Sequence, residues 1–355
     1  MKLRIAQVGP LWENIPPPRY GGTERIVHYL TEGLVEKKHT VTLYACGTTT
    51  TKAHLVSVYP RPLFRDGVPW WNVMYPLLNI TKAFENEKEY DIIHVHLNQG
   101  SDFMALPLCQ PFKHKVVFTL HFPYEFNYTW KGNTEVFQKY KDLNYISISN
   151  SQRRGGENLN WIKTIYNGVD TNLYKFNKKP EDYFLWLGKF NPDKGSKEAL
   201  LAAKKAGVKL LVAGTIDKVE SEDYKYYKNE IEPMIDGKQI IFIGELEDKK
   251  KSVVYGKAKG FLNPIKWNEP FGLVMAESMA TGTPVISFRN GAAPEIINDG
   301  ENGFIVNTVD DMVKKIAEIT SIDRTKCRER IVNHFSTQKM VNEYENIYNK
   351  VLSKN

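Results

Sequence analysis

The chain has 355 residues, 42% hydrophobic and 25% charged, with a formal net charge of +7. Such a composition is ordinary for a globular protein, and the length suits two domains better than one core. No tight Lys/Arg cluster accompanies nucleic-acid motifs, no apolar run is long enough to span a bilayer, and the Met1–Val8 start lacks the apolar stretch of a signal peptide.

The modest positive charge fits an anionic ligand such as a nucleotide diphosphate, a weak preference for a membrane surface, or solubility alone. Lys249, Lys250 and Lys251 read as the solvated face of a helix. Three dispersed cysteines, Cys46, Cys109 and Cys327, suit neither a disulfide framework nor a zinc cluster, and point to a reducing cytoplasm.

Short apolar runs alternate with helix-period segments along nearly the whole chain. Leu3–Val8 reads as a strand, and Thr23–Lys37 as a helix with Ile26, Val27, Leu30 and Leu34 on one face and Thr23 as its cap. Strands follow at Thr40–Ala45, Asp91–Val95, Lys115–Leu120 and Asn144–Ser149, with a helical stretch between Trp70 and Glu89. The polar run Asn177–Asp182 reads as a linker. A second series then gives strands at Tyr183–Leu187, Val208–Ala213, Gln239–Ile243, Gly260–Asn263 and Pro284–Ser287. Its helices fall at Gly195–Ala206, Asp223–Ile235 and Glu247–Lys257. The expected class is α/β, two Rossmann-like domains with mostly parallel sheets. The boundary is expected near residue 175, giving domains 1–175 and 176–336. Periodicity leaves open whether the last helix, 337–352, packs on its own domain or crosses back.

Four segments carry candidate chemistry. Gly21-Gly22 precede the first helix, either as an anion-binding helix start or as a tight turn. The pattern is not G-x-G-x-x-G, which lowers a dinucleotide-dependent dehydrogenase. Lys189 and Lys194 flank a Gly/Pro-containing turn after the first strand of the second series, and read as a diphosphate clamp or as a solvated turn. Glu269 lies just before a helix and Glu277 within it, roughly 12 Å apart at helical rise. That spacing suits the two ends of an extended nucleotide-sugar better than an acid/base pair at one bond. Between them Phe271, Gly272 and Leu273 form a helix start whose amides suit an anion; the alternative is an acidic helix start with Glu277 facing solvent. His121 stands at a strand end, where a ligand contact competes with a structural role. Aromatic residues Trp70, Trp71, Tyr124, Phe126, Tyr128 and Trp130 are acceptor-stacking candidates or core, with the platform placed at Tyr124, Phe126 and Trp130.

The run Trp267 to Glu277 resembles the Glu-x7-Glu signature of family 4 retaining glycosyltransferases. Met279–Ile286 and Gly291–Glu295 are similar to that family's continuation, and the likeness extends from Tyr20–Arg25 to Gly300–Phe304. The resemblance implies the GT-B fold, with two domains across a cleft and the donor held mainly by the second. It implies metal-independent transfer with retention, and a last helix that crosses back onto domain one. Asn167–Asp170 matches the family's segment at the end of domain one.

Carried over by position, Glu277 holds the ribose hydroxyls, Glu269 the donor sugar, and Lys189 and Lys194 the diphosphate. Gly21 and Gly22 approach the distal phosphate, and His121 meets the transferred sugar. The family usually has Arg at the position of Lys189, so the phosphate grip differs in shape.

The reaction implied is transfer of a hexosyl unit from a UDP- or GDP-sugar to an acceptor hydroxyl. The leaving phosphate takes the acceptor proton, and His121, Lys194 and Glu269 serve the chemistry. The nucleotide-sugar is a co-substrate and no separate cofactor or metal is expected. The acceptor is left open among a sugar, a lipid-linked glycan and a small molecule. Rival readings are a nucleotide-sugar epimerase, a sugar phosphorylase and a non-catalytic nucleotide-sugar binder.

Overall fold

The computed structural model describes residues 2–19, 21–124, 133–217 and 221–353. They divide into two compact units: unit 1 is Met1–Gly168 with Thr337–Asn355, and unit 2 is Val169–Ser336.

Unit 1 is a seven-stranded sheet of β1 (Arg4–Val8), β2 (Thr40–Tyr44), β3 (His54–Val56), β4 (Ile92–Leu97), β5 (Val116–Leu120), β6 (Asn144–Ser147) and β7 (Trp161–Thr164). The order is β3-β2-β1-β4-β5-β6-β7 and every pairing is parallel. Its helices are α1 (Gly22–Glu36), α2 (Met74–Glu85), α3 (Ala105–Leu108) and α4 (Asn133–Lys139).

Unit 2 has six strands: β8 (Phe184–Lys189), β9 (Leu210–Thr215), β10 (Ile240–Phe242), β11 (Gly260–Asn263), β12 (Val285–Phe288) and β13 (Gly303–Val306). Their order is β10-β9-β8-β11-β12-β13, again wholly parallel. Its helices are α5 (Ser196–Ala206), α6 (Glu222–Tyr226), α7 (Asp248–Lys257), α8 (Leu273–Ala280), α9 (Ala293–Ile296), α10 (Val309–Glu318) and α11 (Arg324–His334). The last helix, α12 (Thr337–Leu352), belongs to unit 1 and packs on α1.

Parallel strands buried on both faces need apolar runs, and β1, β4 and β5 supply them on one face: Ala6, Val8, Ile93, Val95, Phe118 and Leu120 join one cluster with Phe103, Leu106 and Phe137. The alternating positions Gln7, His94, His96 and Thr119 point to the other face, beneath α12, and are polar although fully buried. In both sheets the order reverses once, between β1 and β4 and between β8 and β11. Open α/β sheets bind ligands beyond the strand ends at such a reversal.

Several expectations are corrected. Thr23 does not cap α1: Gly21 holds the cap position without a side-chain bond, and the Thr23 hydroxyl donates to Asn98 Oδ1 at 2.7 Å. The polar run at 177–182 is not a linker but part of unit 2. Arg324 Nε donates to the Asn177 carbonyl at 2.8 Å, and Arg328 reaches the carbonyls of Thr171 and Tyr174. The helix expected over Asp223–Ile235 breaks into α6, a π turn at Tyr227–Ile231 and a 3-10 turn at Glu232–Met234 that contains Pro233.

Candidate active site

In unit 2 the two chemistry-bearing segments follow the central strands β8 and β11, at the reversal point. After β8, Asn191 Oδ1 accepts from the Lys194 amide at 3.0 Å and opens a short 3-10 turn, Pro192–Lys194. Gly195 then takes φ +68°, where a Cβ would lie 1.9 Å from the Pro264 carbonyl oxygen. Only glycine lets the turn approach the segment after β11 this closely. The Lys266 amide donates to the Asp193 carbonyl at 2.8 Å and fastens the two segments together.

The result is a compact constellation. Lys194 Nζ lies 2.5 Å from Glu269 Oε2 and 4.6 Å from the centre of the Trp267 ring. Trp267 Nε1 donates to the same carboxylate oxygen at 2.9 Å. Gly291 backs Glu269: at φ +53° a Cβ there would stand 2.2 Å from the Glu269 carbonyl oxygen. The Ala292 amide donates to that carbonyl at 2.9 Å. Glu269 is therefore fixed from both sides, while its side chain keeps about one-sixth of its surface open (17%).

Glu269 stands outside the helix, since α8 begins only at Leu273 with Gly272 at its cap. Helical rise thus applies to part of the 269–277 interval. Phe271 is buried and packs on Phe335, so it contributes backbone rather than ring to this loop. Glu277 does not face solvent. It is 3% exposed, with Oε2 accepting from Tyr255 Oη at 3.4 Å and Oε1 lying 3.7 Å from Lys251 Nζ.

Lys251 is likewise not on a solvated face; it is buried and also pairs with Asp248 at 2.9 Å. Lys251 and Tyr255, one turn apart on α7, are contacts of Glu277 that the sequence did not expose. Lys189 differs from a free clamp. Its Nζ lies 3.0 Å from Asp217 Oδ2 and 2.7 Å from Asp223 Oδ2, so two carboxylates already balance its charge.

In unit 1 the loops beyond β1 and β4 meet at the other reversal. Gly21 and Gly22 open α1 there, and Thr23 ties that helix to Asn98. Asp102 Oδ2 accepts from the amides of Asn98 and Gln99, both at 2.8 Å. Glu24 is buried, and desolvation with Glu13 and Asp102 nearby pushes its carboxyl up to about 7. A small cavity here is lined by Gly9, Pro10, Leu11, Asn79, His96 and Asp102.

His121 follows β5, with its Nε2 2.9 Å from His96 Nδ1. Burial pushes its pKa down to about 3, so the ring is neutral at pH 7. Tyr124 is not an open platform: its ring is fully buried against Phe137, and its hydroxyl accepts from Gln138. Phe126, Tyr128 and Trp130 lie outside the described residues.

Among the described residues no three His, Cys, Asp or Glu side chains are grouped to hold a metal ion, and no helix is long and apolar enough to cross a membrane.

Comparison with known proteins gives one answer. The profile of Glycosyltransferase Family 4 matches residues 20–173, and that of Glycosyl transferases group 1 matches residues 171–334. An uncharacterized 41.2 kDa protein in the cps region of Klebsiella pneumoniae is 26% identical, over 92% of this chain and 96% of its own length. The solved sucrose-phosphate synthase of Thermosynechococcus elongatus superposes with a TM-score of 0.79 at 18% identity, over 100% of both chains. Anabaena HepE, solved in complex with UDP-glucose, superposes with a TM-score of 0.70 at 17% identity, over 99% of this chain and 100% of that one. The two structures share the fold, and the two profiles together take in both candidate segments of unit 2. The chain belongs to the group 1, family 4 retaining glycosyltransferases, GT-B enzymes that take a sugar from a nucleotide-sugar donor.

Proposed function

We propose that the protein transfers a hexosyl unit from a nucleoside diphosphate sugar to an acceptor hydroxyl without a metal ion. The observation that carries this reading is the Lys194–Glu269–Trp267 constellation beyond β8 and β11, beside the N-terminus of α8. A leaving diphosphate needs fixed positive charge and oriented donors where its charge develops. Lys194 has three ammonium hydrogens, so it can keep Glu269 and still meet a phosphate oxygen.

In this reading the Gly272–Leu273 backbone at the start of α8 meets the diphosphate with Lys194. Glu269 accepts from hydroxyls of the donor sugar, and Glu277 from the vicinal ribose hydroxyls. For Glu277 to do so, its loose contacts with Tyr255 and Lys251 must make room. Lys189 keeps a third ammonium hydrogen beyond Asp217 and Asp223, but the two carboxylates beside it repel a diphosphate, so its share is secondary. In unit 1, Gly21 and Gly22 would meet the distal phosphate, and His121 the transferred sugar. As a neutral ring His121 orients hydroxyls rather than supplying charge.

No side-chain nucleophile is assigned. The bond from the anomeric carbon to the diphosphate oxygen breaks, the acceptor oxygen bonds to the same face, and its proton passes to the departing phosphate oxygen. UDP is the favoured nucleotide, because the Anabaena neighbour was solved with UDP-glucose. We place the protein in the cytoplasm, where such donors are made.

The test is a thermal-shift series with UDP, GDP and their hexose conjugates, in chelator. One nucleoside series should raise the melting point, by about 2.7 kcal/mol of added stability at one hundred times its dissociation constant. Donor consumption that requires an added acceptor, with the donor's anomeric configuration kept in the product by proton NMR, supports transfer. Consumption of donor alone would instead indicate an epimerase.

A further inference from the structure

The polar face of the unit 1 sheet is a chain of hydrogen bonds that ends at His121. Gln7 on β1 and His94 on β4 are register partners, as are His96 on β4 and Thr119 on β5. Tyr344 and Tyr348, one turn apart on α12, close over them, and all six side chains are 0–1% exposed. Such groups are costly to bury unless each finds a partner, and each does. His121 Nε2 meets His96 Nδ1 at 2.9 Å, and His96 Nε2 meets Gln7 Oε1 at 2.9 Å. Gln7 Nε2 donates to Tyr348 Oη at 3.1 Å, which meets His94 Nδ1 at 2.8 Å. His94 Nε2 meets Thr119 Oγ1 at 2.8 Å, and Thr119 meets Tyr344 Oη at 3.0 Å.

The Gln7 amide gives this chain a direction. Its oxygen only accepts, so His96 must carry its hydrogen on Nε2. Burial, with His94 and His121 beside it, holds His96 neutral, which leaves its Nδ1 a lone pair. That lone pair accepts from His121, so the His121 hydrogen sits on Nε2. On the other side the amide nitrogen only donates, so Tyr348 accepts from it and donates a hydrogen bond from its hydroxyl to His94 Nδ1. One amide thereby sets the tautomers of three imidazoles.

We propose that Gln7, His96 and Tyr348 are positioning residues that hold His121 as the Nε2–H tautomer, so that its Nδ1 presents a lone pair to a hydroxyl of the transferred sugar. The sugar contact rests on the function proposed above; the tautomer does not. A ring fixed in this sense accepts a hydroxyl hydrogen and cannot donate one from Nδ1. Polar groups that fix the tautomer of a functional imidazole are the usual way such a ring is aimed.

The experiment is nitrogen NMR of the full chain labelled with 15N-histidine, without donor. Expected are Nε2–H, Nδ1-unprotonated signatures for His94, His96 and His121, and a scalar coupling across the His121 Nε2–H to His96 Nδ1 hydrogen bond. An Nδ1–H tautomer at His121 or His96, a protonated ring, or no coupling overturns the proposal. Two variants add the functional readout, Tyr348→Phe, which keeps the ring in the core, and Gln7→Leu. Gln7→Leu removes the oxygen that fixes His96, so it should lose the coupling and lower kcat by about tenfold, the scale of one hydrogen bond, with the donor KM within about twofold of the parent; Tyr348→Phe leaves that oxygen in place and should lower kcat less. Coupling lost with kcat unchanged would overturn the positioning role. Should His121→Ala keep parental turnover while the NMR signatures hold, the sugar contact fails and the tautomer assignment stands.

Discussion

Replacing Lys194 by alanine separates a site from a solvated turn. The parent ammonium lies 2.5 Å from Glu269 Oε2 and over the Trp267 ring, with Lys194 and Glu269 side chains 23% and 17% exposed. Such a pair stands between the surface class, worth up to about 1 kcal/mol, and the buried class, where removing one partner costs about 3–5 kcal/mol. Glu269 keeps the indole hydrogen bond at 2.9 Å, which moves the expected loss to the lower part of that range, about 1–2 kcal/mol. For a unit of this size that corresponds to a melting point lower by about 2–8 °C.

The effect on transfer is larger. Loss of one preorganised partner of developing charge costs about 10²–10³ in turnover. The assay is turnover at saturating donor beside a melting curve of the same preparation. A variant that melts lower by a few degrees yet turns over within about twofold of the parent would refute the reasoning and leave Lys194 a structural ion pair.

Excess chelator should leave turnover unchanged, and loss of activity restored by magnesium or manganese contradicts the metal-free reading. Lys189→Ala should lower turnover less than Lys194→Ala, because Asp217 and Asp223 already balance the Lys189 charge; equal losses contradict this order. Stability should fall steeply in acid. Burial depresses the pKa of His94, His96 and His121, so below about pH 6.5 the unfolded chain binds more protons and stability declines. Glu24, raised to about 7, and Asp102, raised to about 6, act oppositely, since the folded chain protonates them first. Glu24 and Asp102 cancel only part of this loss, down to about pH 4, so stability still declines from pH 6.5 and falls most steeply below about pH 4, where the three histidines contribute up to about 4 kcal/mol per pH unit. Urea midpoints at pH 7, 5.5 and 4 check this, and equal midpoints at pH 5.5 and 4 refute it.

The elements legible in the sequence are those whose pattern is local. The Thr337–Leu352 helix keeps its expected bounds and α1 differs from expectation by one residue at each end, because their periodicity is unbroken; α7 also differs by one residue. The strands missed are short: His54–Val56 is a three-residue edge strand, and Trp161–Thr164 and Gly303–Val306 have four residues each. Shortness alone does not hide a strand, since the four-residue β11 and β12 are expected from the sequence.

In the candidate site, motif spacing brings out Lys194, Glu269 and Glu277. It does not bring out Lys251 or Tyr255, which reach Glu277 only because α7 packs beside α8. The same holds for Gln7, His94 and His96. In sequence they are polar positions within strands, and their purpose depends on which strands adjoin and which helix covers them. The His-x-His alternation on β4 puts two imidazoles on one buried face, the one local signal available.

The most direct test of the donor reading is calorimetric titration of UDP and of UDP-hexose into the parent, Glu277→Gln and Glu269→Gln. Glu277, buried between Tyr255 and Lys251, is assigned to the ribose, and Glu269, beside Lys194, to the sugar. Charge-assisted hydrogen bonds are worth about 1.5–3 kcal/mol, so Glu277→Gln should weaken both ligands by roughly ten- to a hundredfold. Glu269→Gln should leave UDP within about threefold of the parent and weaken only the hexose conjugate, by about tenfold or more. Parental UDP affinity in Glu277→Gln, or the reverse pattern between the two variants, would contradict the assignment of the two carboxylates.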